Sequence, residues 1–243
     1  MPMIINQKRP YRVYIEEGTG GAMAHVAELP GCYAVGANAS LATGATAPAI
    51  ARFLQWLKGH REPLVPEAHV ARPTVLDISV ADVRHAGSPT VAGSRAELFD
   101  FDKEPWDDYK LERTLRWLSY SRADLLQRVA GLTEQQMKSR LVLPGRTIWD
   151  TLWHVANAEY GYINRIAGPL ADVEPVTDDR PSDVRERLAV VREILVRRAR
   201  AVPADKRAEV IYPTWANRPD EPWTLAKALR RALEHEREHT AEL

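Results

Sequence analysis

Cysteine is nearly absent: Cys32 is the single one in 243 residues. One thiol excludes an internal disulfide and a cysteine-based metal cluster. Long apolar runs are missing too. None approaches the roughly 18 residues that a bilayer span needs, so a membrane is not an expected partner. The opening segment, MPMIINQKRPYR, lacks the apolar core of a signal peptide, and the expected location is cytoplasmic. A net charge of either sign is absent as well, since 33 basic residues balance 33 acidic ones. No overall basic field would draw nucleic acid. Internal repeats and low-complexity tracts are not found. The 45% hydrophobic and 27% charged content is that of a globular chain, long enough for one large domain or two ordinary ones.

The character of the sequence changes near Pro105. Before it, alternation and turn residues dominate. Tyr11–Ile15 reads as a strand, Glu16–Gly21 as a hairpin loop, Ala24–Leu29 as a strand stopped by Pro30-Gly31, and Cys32–Val35 as a third strand. From Ser40 to Gly59 the apolar spacing becomes helical. Val75–Val83 and Arg95–Phe101 are further strand candidates. After Pro105 four amphipathic helices are expected, over 107–130, 147–167, 182–201 and 223–243. The second opens with a capping-box-like Thr147-Ile-Trp-Asp150. Arginines along the third read as a solvated face, because acidic residues dilute them. The expectation is an α+β two-domain chain. A small α+β domain spans 1–104, and an up-down four-helix bundle spans 105–243.

The residues that carry chemistry are histidines. His235 and His239 lie four apart on the last helix, which stacks two imidazoles on one face where they can grip one ion. Chance supplies roughly 0.2 such pairs in a chain with this many histidines, so spacing alone is weak, and placement carries the argument. At 100° per residue, Leu225, Leu229, Ala232, Glu236 and His239 share an apolar arc with His235 at its edge. On the second helix, His154 flanks an arc of Ile148, Leu152, Val155, Glu159, Tyr162 and Ile166. Three imidazoles from two helices would leave at least one coordination position open, as in catalytic sites. Glu159 and Glu236 sit centrally on apolar arcs, where a lone carboxylate is costly. They are the candidates for a general base, or for acceptors of imidazole N–H. His25, His60, His69 and His85 have no partner at useful spacing. Trp149, Trp153, Trp215 and Trp223 read as packing residues, with Trp215 and Trp223 also able to rim a pocket. Cys32 reads as a buried strand residue.

Two stretches resemble known families. Trp149-Asp-Thr-Leu-Trp-His154-Val-Ala-Asn-Ala-Glu159 and Trp223 to Leu243, with His235 and His239, resemble the second and last helices of the DinB/YfiT-like family. The resemblance covers roughly 107–243. It implies a four-helix bundle that holds nickel, zinc or a similar divalent ion on His154, His235 and His239. It also implies a thiol-dependent transferase or isomerase that uses a low-molecular-weight thiol. Tyr11-Arg-Val-Tyr-Ile-Glu16, Ala27-Glu-Leu-Pro-Gly-Cys-Tyr-Ala-Val-Gly36 and the helix Ser40–Gly59 resemble a HicB-like domain. That resemblance implies an interaction or dimerisation unit, and a DNA-reading motif is not found beside it.

The leading expectation is a metal-dependent thiol S-transferase or isomerase acting on a small-molecule substrate, in a chain able to form a homodimer. The alternatives are a stress-related binding or regulatory protein with a non-catalytic metal, and a metal-dependent hydrolase.

Overall fold

The computed structural model describes residues 10–63, 78–85, 95–167 and 183–243. The chain divides into two compact units, Met1–Glu97 and Leu98–Leu243. It is α+β, with a small sheet in the N-terminal unit and six α-helices among the described residues.

In the first unit, β1 (Tyr11–Gly18), β2 (Gly21–Val26), β3 (Tyr33–Gly36), α1 (Ala39–Gly59) and β4 (Ile78–His85) follow in chain order. The sheet order is β3-β2-β1-β4, with β4 parallel to β1 and the other pairs antiparallel. Val13, Ile15, Ala22, Ala24 and Ala34 point to one face and pack with Ala42 and Ala49 of α1. The Glu16–Gly21 stretch expected as a loop is mostly strand. The ladder runs through Glu16 and Glu17 to Gly18↔Gly21, which leaves only Thr19-Gly20 as the turn. Glu16 tolerates full burial because His25, across the pair, lies 3.0 Å from its carboxylate. Gly21 has φ +116°, and a Cβ there would meet the Gly36 carbonyl oxygen at 2.8 Å, so the turn requires glycine. Cys32 is buried. Asn38 opens α1 by accepting from the Leu41 N–H at 2.9 Å. Of the Val75–Val83 strand, residues 75–77 lie outside the described residues, as does His69.

In the second unit, α2 (Asp108–Arg128), α3 (Glu134–Ser139), β5 (Leu141–Leu143), β6 (Arg146–Thr147), α4 (Ile148–Ala167), α5 (Val184–Ala201) and α6 (Leu225–Glu242) follow in order. The strand expected over Arg95–Phe101 is absent. Those residues run in irregular chain into a 3-10 turn at Asp100–Lys103. Asp102 accepts from the Phe99 N–H at 3.1 Å and pairs with Arg230 of α6 at 3.0 and 2.9 Å. Leu98, Phe99 and Phe101 are therefore core residues of the helical unit, which explains their strand-like apolarity.

The four long helices start where capping chemistry sets them. Asp107, Asp183 and Thr224 each accept a first-turn N–H. Thr147 and Asp150 bond reciprocally, with each backbone N–H reaching the other's side chain at 3.2 and 3.1 Å. α2 packs on α6, α6 on α4, α4 on α5, and α5 on α2. A core of Leu125, Val129, Met137, Trp149, Leu152, Trp153, Val155, Val184 and Leu188 fills one part of this unit. The arginines of α5 are not simply a solvated face, because Arg187 and Arg192 are buried. No described helix is long and apolar enough to cross a membrane.

Candidate metal centre

α6 presents the expected arc inward: Leu225, Leu229, Ala232, Glu236 and His239 are all buried, and His235 is partly so. α4 brings His154 up to meet them. The ring centroids lie 4.8 Å apart for His154 and His235, 4.9 Å for His154 and His239, and 4.4 Å for His235 and His239. His235 Nε2 sits 3.0 Å from His154 Nε2 and 3.2 Å from His239 Nε2. The ligand atoms of all three residues fall within 4.8 Å of one another.

This geometry suits one shared ion. Imidazole nitrogens about 2.0–2.1 Å from a divalent metal stand about 3–3.4 Å from each other at the usual angles. The two closest pairs match that spacing. The alternative, a hydrogen-bonded histidine cluster, satisfies the atoms poorly. His235 Nε2 faces two other Nε2 atoms, and a single proton on it can serve only one. Protonating the cluster is also unfavourable. Burial, helped by Arg146 and His239, pulls the His154 pKa down to about 4. Burial, with His239, His154, Arg231 and Arg146 adding to it, pulls His235 well below its ordinary value. Neutral imidazoles with lone pairs pointing at a common point are the donor set of a metal site.

The partner that orients an imidazole is Glu242, which sequence reading did not single out. Its Oε2 lies 2.6 Å from His239 Nδ1. A carboxylate there holds the proton on Nδ1 and leaves the Nε2 lone pair facing the centre. The spacing of three within the last helical turn was the available signal.

Glu159 and Glu236 make their hydrogen bonds elsewhere. Glu159 accepts from Arg122 Nη2 at 2.5 Å and from Arg192 Nε and Nη2 at 2.6 and 3.1 Å. Glu236 accepts from Arg122 Nε at 2.6 Å and from Arg192 Nη2 at 3.1 Å on both oxygens. Arg122 and Arg192 each donate Nη1 to a backbone carbonyl as well, of Leu188 and Leu118 respectively. Each of α2, α4, α5 and α6 thus supplies one member of a buried, neutral square. Burial alone would raise the Glu236 pKa, but Arg192 and Arg122 overcome it and hold the carboxyl below its usual range.

The residues 118–243, which hold all three histidines, match the model of the DinB superfamily. The chain belongs to the DinB superfamily. Members of this superfamily generally bind metal, which agrees with the donor set just described. No curated protein and no solved structure matches the chain.

Around the histidines of this DinB chain lies an aromatic and cationic wall. The Tyr162 ring stands edge-on to His235 at 6.2 Å and beside Trp223 at 5.7 Å. Trp223 is buried and held by a bridge to Ile211, whereas Trp215 is exposed and donates Nε1 to the Asn164 carbonyl at 2.8 Å. Burial raises the Tyr162 pKa, against the pull of Arg231 and Arg165, so the phenol stays protonated. His25 lies in a strand of the other unit, paired with Glu16, and His60 caps α1.

Proposed function

We propose that this DinB-superfamily protein is a metal-dependent enzyme acting on a small molecule by thiol S-transfer or isomerisation. His154, His235 and His239 hold one divalent ion, nickel or zinc. They do so within an up-down four-helix bundle formed by α2, α4, α5 and α6. The observation that carries this reading is the convergence of three imidazoles, with Nε2 spacings of 3.0 and 3.2 Å.

An ion in this position supplies Lewis acidity, which keeps a low-molecular-weight thiol as thiolate or lowers the pKa of bound water. The protein's own groups do the rest. His154 and His235 present lone pairs without first losing a proton at neutral pH. Glu242 fixes the tautomer of His239. Glu159 and Glu236 act as positioning groups through Arg122 and Arg192, which tie α4 and α6 together beneath the histidines. Tyr162, whose ring stands beside His235, holds a proton at its hydroxyl.

Elemental analysis of purified protein tests the site. One ion per chain is expected, lost in the His235→Ala, His239→Ala double variant. Unaltered metal content in that variant would overturn the proposal. Running the same activity screen with and without added thiol separates transferase chemistry from hydrolysis.

For the N-terminal unit, the HicB-like reading remains a proposal for an interaction or dimerisation module. It is supported by the strand, strand, strand, helix order of β1, β2, β3 and α1. A homodimer in solution would fit it.

A further inference from the structure

Along α4, His154, Ala158, Gly161, Tyr162 and Arg165 share one stripe, since positions four, seven, eight and eleven apart lie on a common helix face. His154 ends the stripe at the metal centre, and Arg165 ends it on the other side. Helical side chains lean toward the helix N-terminus, so Arg165 leans toward His154. Tyr162 lies between, its ring 6.0 Å from the Arg165 guanidinium and 6.2 Å from the His235 ring. The Arg165 guanidinium also stacks over Trp223 at 4.7 Å.

Two donors here lack acceptors among the described residues. Arg165 Nε and Trp223 Nε1 are both buried and have no hydrogen-bond partner there. The acid whose field reaches Arg165 is Glu221, and its carboxylate lies 3.2 Å from Lys227 Nζ. Arg218 adds positive potential at Arg165. Arg187 of α5 shares this condition, with Nε and Nη2 buried and unpartnered among the described residues, so what sets Arg165 apart is its place beside Tyr162 and Trp223, next to the histidines. Other arginines of the unit are paired. Arg122 and Arg192 each bind Glu159 and Glu236, and Arg230 binds Asp102 and Glu234. Arg165, only partly buried, makes no such ion pair among the described residues. A guanidinium does not shed its proton to escape this cost, so a charge with no ion pair among the described residues and a buried, unpaired Nε describe half of an ion pair.

We propose that Arg165, framed by Tyr162 and Trp223, recognises the carboxylate of a small molecule whose other end reaches the three histidines. The fork suits a carboxylate because it donates two parallel N–H groups, and its flat face is held by the aromatic rings. The carboxylate recognition itself needs only Arg165, whereas the placement of the other end rests on the metal centre proposed above.

The test loads the protein with Co²⁺ and follows sulfur-to-cobalt charge-transfer absorption during titration with mercaptosuccinate or with 2-mercaptoethanol. Wild type is expected to bind mercaptosuccinate at least about tenfold more tightly. Arg165→Gln should erase that preference and leave the 2-mercaptoethanol curve unchanged. Arg165→Lys, which keeps the charge and loses the fork, should retain part of it and serves if the glutamine variant does not fold. A second arm titrates succinate into chelator-treated protein by calorimetry, where binding in wild type and its loss in Arg165→Gln are expected. If cobalt does not load, the metal reading fails while the succinate arm still decides this one. Succinate binding that needs Arg165, together with equal affinity for the two thiols, assigns the acid to a second substrate instead of the thiol. Succinate binding unchanged in Arg165→Gln, or absent from wild type, overturns the proposal.

Discussion

Burial of three imidazoles has consequences that single residues can report. The folded pKa values of His154 and His235 lie below the unfolded value near 6.5. Below that pH the unfolded chain therefore binds more protons than the folded metal-free one. The stability at stake is full above pH 6.5 and is lost as pH falls toward about 4, where His154 titrates. Urea midpoints of metal-free protein should fall across that window, less steeply in His154→Gln than in wild type. Equal slopes would show that the imidazoles are not held neutral by the fold. Glu242 gives a second residue-scale expectation. Removing a carboxylate that orients a ligating imidazole costs about 10–100-fold in metal affinity. Glu242→Gln should do this while preserving helix content, as a competition titration with a coloured chelator would read. The three ligands were legible in the sequence because helical spacing and an inward arc are local properties. Glu242 was legible only as a spacing without a role, since its function depends on the His239 rotamer. Arg165 was not legible at all: its significance is its place beside Tyr162 and Trp223 and the lack of an ion pair among the described residues, which appear only once the neighbours are in place.

Among the elements, the four long helices followed from apolar periodicity and caps, and each lies within two residues of its expected bounds. The short pieces between α2 and α4 were missed. A six-residue helix and strands of three and two residues carry too few positions for a period to show. The second half of β1 was missed because Glu16-Glu17 reads as polar loop, and the His25 partner that permits its burial sits nine residues away. The same limitation hid the square of Arg122, Glu159, Arg192 and Glu236, whose members lie on four different helices. That square is the joint of the helical unit. Arg192→Ala would leave two buried carboxylates sharing Arg122 alone in this square and should cost about 3–5 kcal/mol. At roughly 2–4 °C per kcal/mol for a chain of this size, calorimetry would read the loss as a large drop in Tm. A drop of a degree or less would mean the pairs contribute little beyond filling space.

For the whole molecule, the histidine centre is the feature on which the proposed function rests. The centre belongs to one unit, and so does most of the indole fluorescence: of the seven tryptophans only Trp56 lies before Leu98. Ligand binding to the folded state stabilises it by about 2.7 kcal/mol at a hundredfold excess over Kd. Added zinc or nickel should therefore raise the transition seen by tryptophan emission. The central claim, that His154, His235 and His239 jointly hold an ion, is tested most directly by X-ray absorption at the edge of the bound metal. Three imidazole nitrogens at about 2.0–2.1 Å, reduced in number in the His154→Ala variant, are the expected result. A protein without metal, or an ion whose spectrum is unchanged when His154 is removed, would contradict it.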